Sequence, residues 1–357
     1  MKVALVYDRV NKWGGAERVL ISLKKIFPKA VLYTSVYDEK KAPWAKAFKV
    51  KTSFLQKFPF AKSSHELFAT LMPLSFESFN FDDYNLVISV TSEFSKAVIT
   101  KPQTLHICYC LTPTRYLWSG YEIYFKNRLL RFISTPLVSY LRNFDKVAAL
   151  RPDFTIAISN EVKKRIKKYY NLDSTVINAP IDFPNIPLTK QKGKYFLIVS
   201  RFVAYKKIDL AISAFNETGQ PLKIIGSGGE EKRLKQMAGK NIEFIKDVSD
   251  QELFEYYKNS IALVFPGLED FGLTMIEANY FGRPVIAFRG GGALDIVKEG
   301  VTGEFFNEQS KESLIKVLEK FKVSLYNEKS CRENALRFSL QYFRTNLEAF
   351  INTHKNL

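Results

Sequence analysis

The sequence is poor in the residues that build disulfide or metal frameworks. Cys108, Cys110 and Cys331 are the only cysteines in 357 residues, and none forms a Cys-x-x-Cys pair. That excludes a disulfide scaffold and points to a reducing compartment. Three histidines are scattered without ligand spacing, so no bound metal is expected. Asp82-Asp83 in "FNFDDYNLV" suggests a divalent-ion site, but it precedes a strand and reads better as a turn. No stretch reaches the roughly 18 to 20 apolar residues of a membrane span. The start, "MKVALVYDRV", lacks the long apolar core of a secretory signal. A nucleophile-elbow motif is also missing, which disfavours a Ser-His-Asp or Cys-His hydrolase.

Acidic charge is scarce in the first half. Residues 1–182 hold 28 Lys+Arg against 15 Asp+Glu, the remainder 25 against 21, for a net charge of +17. Such a basic half suits an anionic partner, a membrane surface or nucleic acid. No recognisable RNA or DNA module accompanies the charge, so nucleic acid is not expected. Two stretches of this half, "TSFLQKFPFAKSSHELFATLMPLSFESF" and "YLWSGYEIYFKNRLLRFISTPLVSYLRNF", mix aromatics with Lys and Arg as segments lying on an anionic bilayer do. Packing on their own domain accounts for such stripes equally well.

What is present in abundance is alternation. "KVALVY", "NLVISV", "LHICYC" and "DFTIAIS" read as buried parallel strands in the first half. "YFLIVS", "PLKII", "NIEFI", "IALVFP" and "RPVIAF" read the same way in the second. Helical stretches such as "AERVLISLKKIF" and "IDLAISAFN" lie between them. This is the pattern of α/β domains. The Pro-rich, aperiodic run from Asn178 to Lys194 is a linker. The expected architecture is two Rossmann-like doubly wound parallel-sheet domains facing a central cleft. The first spans 1–183 and the second 184–335, with a helical tail, 336–357, crossing back to the first.

Several loops could carry chemistry. Gly14-Gly15 opens a helix after the first strand, where backbone N–H groups and the helix dipole favour an anion. It is not a G-x-G-x-x-G fingerprint, so a nicotinamide cofactor is disfavoured. Arg201 and Lys206 in "VSRFVAYKKIDL" follow a strand end, where two cations can hold a diphosphate. Gly226, Gly228 and Gly229 form another strand-to-helix turn. In "LEDFGLTMIEA", Glu269 and Glu277 could be an acid/base pair or two acceptors for one polyol. With a helix starting near Gly272 they face different parts of an extended ligand, which favours recognition. The N–H groups of Gly272 and Leu273 could meet a phosphate or sugar.

Taken in order, "GGAE", "SRFVAYKK", "EDFGLTMIEANYFGRPVIA" and "GGALDIVKEGVTGEFF" resemble glycosyltransferases of family 4, of the GT-B fold, over nearly the whole chain. "LHICYCLTPTRYLW" and "NFDKVAALRPDFTIAIS" resemble the mannosyltransferases that build bacterial O-antigen and exopolysaccharide. The resemblance implies retaining transfer of a hexose, mannose from GDP-mannose, from a nucleotide-diphosphate sugar to a glycan or lipid-linked saccharide, with no metal or other cofactor. By the same resemblance Arg201 and Lys206 grip the pyrophosphate, Glu269 accepts from donor-sugar hydroxyls and Glu277 from the ribose. Gly272 and Leu273 supply backbone donors, Gly15 closes on the phosphate from the other domain, and Val248, with Asp247, lies by the nucleobase. The leaving phosphate takes the acceptor's proton. A histidine common in the family near "YCLTPTRY" is replaced by Leu111, and His106 reads as a core residue. Arg115 in "TPTRY" is an anion contact or a structural cap. The expected location is cytoplasmic, peripheral on the inner face of the cell membrane. The competing functions are a sugar-nucleotide epimerase of the same fold and a non-catalytic nucleotide-sugar or nucleic-acid binding protein.

Overall fold

A computed structural model describes residues 1–124, 127–188 and 193–355. Residues 125–126 of the second aromatic-basic segment, 189–192 of the linker and 356–357 of the tail lie outside the described residues. The chain divides into two compact units, Met1–Pro180 with Phe343–Leu357, and Ile181–Tyr342. Ile181 belongs with the second because its N–H donates to the Phe338 carbonyl at 2.8 Å. Phe343 belongs with the first because its ring meets Tyr109 edge-on, with centroids 5.9 Å apart.

In the first unit the strands are β1 (Val3–Tyr7), β2 (Val31–Thr34), β3 (Lys49–Thr52), β4 (Leu86–Thr91), β5 (Leu105–Cys110), β6 (Phe154–Ala157) and β7 (Thr175–Val176). They form one sheet in the order β3-β2-β1-β4-β5-β6-β7, with parallel pairings throughout. β1 and β4 are buried along their whole length, which explains apolar runs without alternation. At the edge, β3 instead turns Lys49 and Lys51 to solvent, a guard against edge pairing. The Gly15–Ile26 helix packs through Val19, Leu20 and Leu23. The Leu340–His354 helix buries Phe343, Leu347 and Ile351, one residue per turn.

The second unit holds β8 (Tyr195–Val199), β9 (Leu222–Ile225), β10 (Ile242–Ile245), β11 (Ser260–Phe265), β12 (Val285–Phe288) and β13 (Gly303–Phe306). Their order is β10-β9-β8-β11-β12-β13, again with parallel pairings. One face packs Phe196, Ile198, Ile224, Val264 and Ile286 against Phe202, Ile212, Phe215 and Leu314. Burying each large side chain of this kind stabilises the fold by about 1.5–3 kcal/mol. Helix ends are locally specified: Ser249 and Glu252 form a reciprocal capping box at the start of the Asp250–Lys258 helix. Four strands that the apolar runs do not reveal, β2, β3, β7 and β13, have four residues or fewer.

Candidate functional site

In the second unit the chain leaves β8 toward β9 on one side, and leaves β11 toward β12 on the other. The two outgoing loops therefore diverge, which opens a crevice at the carboxyl ends of β8 and β11, the topological switch point where open α/β sheets bind ligands. Ser200–Lys206 follows β8 and Pro266–Gly272 follows β11. The two cations and the first glutamate of the sequence analysis thus flank one crevice.

The β8 loop is held by glycines. A Cβ on Gly226 would lie 1.9 Å from the Ser200 carbonyl oxygen, and one on Gly228 2.4 Å from that of Phe202. Both glycines also have positive φ, 143° and 157°. Only glycine lets the turn after β9 lie this close to Ser200–Phe202. Phe202 is fully buried and its N–H donates to the Ser227 carbonyl at 2.8 Å. Arg201, its neighbour, stands exposed and donates from Nη2 to the Tyr205 hydroxyl at 3.1 Å. Lys206 closes a short 3-10 turn, Ala204–Lys206, with its Cα 3.0 Å from where a Cβ on Gly267 would stand.

Across the crevice the Leu273–Tyr280 helix starts at Gly272, whose φ of 116° requires glycine, and its N-terminus receives no side-chain cap. Glu269 lies in the preceding loop and Glu277 in the helix, so they do not form a dyad on one helix face. A second glycine run fixes the loop. The Gly292 N–H donates to the Glu269 carbonyl at 2.9 Å, while a Cβ on Gly291 would lie 2.3 Å from that oxygen. On Gly292 it would lie 2.2 Å from the Phe271 carbonyl oxygen. So clamped, Glu269 directs Oε1 at the ammonium of Lys206, with the two side chains only 12% and 16% exposed. That buried oxygen has no hydrogen bond of good geometry besides this ionic contact. Glu277 is held separately: the buried Tyr257 hydroxyl donates to its Oε2 at 2.7 Å. Val248 is half-buried on the same sheet edge after β10, beside Asp247 with its φ of 52°.

Gly15 and Arg115 belong to the first unit. Gly15 is exposed and begins its helix, and beneath it the buried Glu17 accepts from the Tyr7 hydroxyl at 2.6 Å. Arg115 is half-buried in the turn after β5, where its carbonyl accepts from the Gly120 N–H at 2.8 Å. Leu111 is buried at the end of β5. His106 is inside the sheet against Ser89 Oγ at 2.9 Å, and burial, with Arg151 nearby, lowers its pKa to about 3. It is a neutral core histidine. Asp82 and Asp83 pair with Lys101 and Lys2. Among the described residues no three His, Cys, Asp or Glu side chains converge as a metal site, and no helix is long and apolar enough to cross a membrane.

The first unit also has a polar cluster that sequence reasoning missed, at its own switch point between β1 and β4. Buried Asp8 accepts from the N–H groups of Ser92, Glu93 and Ser95 at 2.6, 2.9 and 2.8 Å. Burial and the Glu93 charge raise its pKa, against the lowering effect of those N–H donors. Burial also pushes Glu93 up, but the charges of Arg9 and His65 more than offset it and hold that carboxyl at about 2. Arg9 pairs with Glu93 directly. These partners are more than 80 residues apart in sequence, and only the parallel β1–β4 pairing brings them together. Elsewhere in this unit a cavity of about 310 Å³ lies near the amino end of β6, lined by Phe154, Thr175, Phe350 and His354 among others. None of the expected site residues line it.

Residues 182–337 match the family model for glycosyl transferases group 1. The chain is 28% identical over 211 residues to an uncharacterized glycosyltransferase of Methanocaldococcus jannaschii, covering 56% of this chain and 58% of that one. It is 23% identical over 255 residues to O-antigen chain mannosyltransferase C of Escherichia coli, covering 66% and 67%. The chain therefore spans little more than half the length of the archaeal relative. In fold it superposes on HepE of Anabaena in complex with UDP and glucose, with a TM-score of 0.72 at 17% identity, covering 99% of this chain and 100% of that one. The second unit thus carries a match to the glycosyl transferases group 1 over residues 182–337, and the two parallel-sheet units have the build of the GT-B fold.

Proposed function

We propose that the protein is a retaining hexosyltransferase that moves mannose from GDP-mannose to a glycan or lipid-linked saccharide at the inner face of the cell membrane. The observation that carries this reading is the Lys206–Glu269 pair at the β8/β11 switch point. A cation and a carboxylate are pre-aimed there, on loops that glycines hold in place. The mannosyl donor is favoured by the similarity to the O-antigen chain mannosyltransferase. The basic charge of residues 1–182 favours an acceptor presented at an anionic surface.

In this mechanism the donor's diphosphate enters between Arg201 and Lys206. Lys206 turns from the Glu269 carboxylate to a phosphate oxygen, and Glu269, released, accepts from the donor-sugar hydroxyls. Gly272 and Leu273 offer backbone N–H groups to phosphate or sugar at an uncapped helix end. Glu277, oriented by Tyr257, takes the ribose hydroxyls, and the base lies toward Val248. The anomeric C–O bond to the phosphate breaks as the acceptor oxygen bonds to the same face of that carbon. The acceptor's proton passes to the departing phosphate oxygen, so no protein base is required. Fixed cations carry the charge that builds on the diphosphate, without a metal.

Incubation with a panel of nucleotide sugars and a mannosyl-oligosaccharide acceptor tests this reading. Transfer from GDP-mannose with retention at the anomeric carbon supports it. Conversion of the donor without acceptor assigns an epimerase, and oligonucleotide binding with steep salt dependence and no transfer assigns a binding protein.

A further inference from the structure

Among the described residues, one stripe of the Arg128–Ala149 helix leaves a run of large apolar side chains exposed. Leu129, Phe132, Ile133, Leu137 and Tyr140 are 64%, 79%, 64%, 45% and 57% exposed. At about 100° per residue they fall within a single band roughly 140° wide, continued by Val147. Soluble proteins seldom leave so large a continuous patch uncovered without using it.

The stripe faces outward because the opposite side of the helix is fixed. Val138, Leu141 and Ala148 are buried in the core of the first unit. Asp145, also buried, accepts from Lys96 Nζ at 2.6 Å, Thr114 Oγ1 at 2.9 Å, Trp118 Nε1 at 2.7 Å and the Tyr170 hydroxyl at 2.7 Å. Four donors on one carboxylate set the rotation of the helix, so the apolar band cannot roll inward. The helix is also one-sided in charge. It carries Arg128, Arg131, Arg142 and Lys146, and its sole acidic residue is the buried Asp145.

We propose that this stripe is a membrane-docking element, lying in the plane of an anionic bilayer with Phe132 and Ile133 inserted deepest. The inference deepens the proposed function and rests on it for the presence of a membrane. An in-plane helix needs an apolar face at the acyl boundary and cations at the headgroups. The band meets the first need, and the exposed Arg128 and Lys146 on its flank the second. Charge complementarity selects an anionic lipid surface over a second copy of this chain, since two such helices would bring like charges together.

Flotation of the full chain with phosphatidylcholine vesicles, with and without phosphatidylglycerol, tests the proposal. Wild type is expected to float with the anionic vesicles, and to do so less as salt rises. Phe132→Ser/Ile133→Ser should reduce that partitioning at least about tenfold, and Arg128→Glu/Lys146→Glu should weaken it while leaving residual binding. All four side chains are exposed, so thermal melts of both variants should match wild type. A Phe132→Trp variant should show blue-shifted emission on anionic vesicles and quenching by brominated acyl chains. Unchanged flotation of the Ser variant overturns the proposal. So does equal binding to neutral vesicles, or a dimer in sedimentation velocity that the Ser substitutions abolish. Transfer to a soluble acceptor, measured in parallel, should survive both double substitutions. Absence of transfer in wild type would defeat the functional reading without touching the vesicle result.

Discussion

Lys206 Nζ meets Glu269 Oε1 across the crevice between the β8 and β11 loops, joining the two chain segments that diverge there. Each charge neutralises the other. In the proposed mechanism the donor's diphosphate competes for the lysine and frees the carboxylate, which would make the pair a latch opened by the donor. With both side chains largely shielded from water, their attraction is stronger than that of a surface pair.

Lys206→Ala should therefore lower kcat/KM by about 100- to 1,000-fold while costing about 1–2 kcal/mol of stability, between the values for exposed and buried pairs. Steady-state kinetics and urea titration measure the two effects separately. Activity within a few-fold of wild type would show that Lys206 does not touch the reacting phosphate.

Tyr257 orients Glu277 through a single hydroxyl. Tyr257→Phe removes that donor without changing the ring stack on Phe281, whose planes lie 12° apart. The donor KM should rise about three- to tenfold, the equivalent of one ordinary hydrogen bond, with kcat nearly unchanged. A fall in kcat at constant KM would place Glu277 in the chemical step instead.

The glycines divide by what surrounds them. Gly226→Ala meets the Ser200 carbonyl at positive φ and should destabilise the protein by at least about 2 kcal/mol. Gly229→Ala, with nothing within 4 Å of the new carbon and no positive φ, should stay within about 0.5 kcal/mol of wild type. Chemical denaturation of the two variants checks the contrast.

His106 supplies a pH dependence. Burial lowers its folded pKa to about 3, against about 6.5 in the unfolded chain. Below pH 6.5 the unfolded chain binds a proton that the folded one refuses, so this contribution is complete above 6.5 and is lost as pH falls toward 3. From pH 7 to pH 5 it should remove about 2 kcal/mol from wild type. His106→Gln, which keeps a polar partner for Ser89, should show a profile flatter by that amount. Parallel profiles would mean that the histidine is already protonated in the fold.

The sheets were legible wherever a strand is buried on both faces, because "VALVY" or "LVISVT" leaves no other reading. Edge strands such as β3, whose alternate residues are lysines in water, carry no such signal. Arg201, Lys206 and Glu269 were legible for a related reason: each lies a few residues past an apolar run, so the sequence itself places it at a sheet edge. What sequence could not supply was the company these residues keep. The clamp of Gly291 and Gly292 on Glu269 joins loops after different strands, and the Asp8–Ser92 contact depends on which strands are neighbours. The break at Pro180 rather than 183 follows from one backbone bond, Ile181 to Phe338, that no local pattern announces.

Thermal stabilisation by GDP-mannose, compared between wild type and Arg201→Ala/Lys206→Ala, tests the central claim most directly. At about 100 times its dissociation constant the ligand should add about 2.7 kcal/mol to wild type and almost nothing to the double variant. Equal stabilisation of both proteins would contradict the claim that the β8/β11 switch point holds the donor's diphosphate.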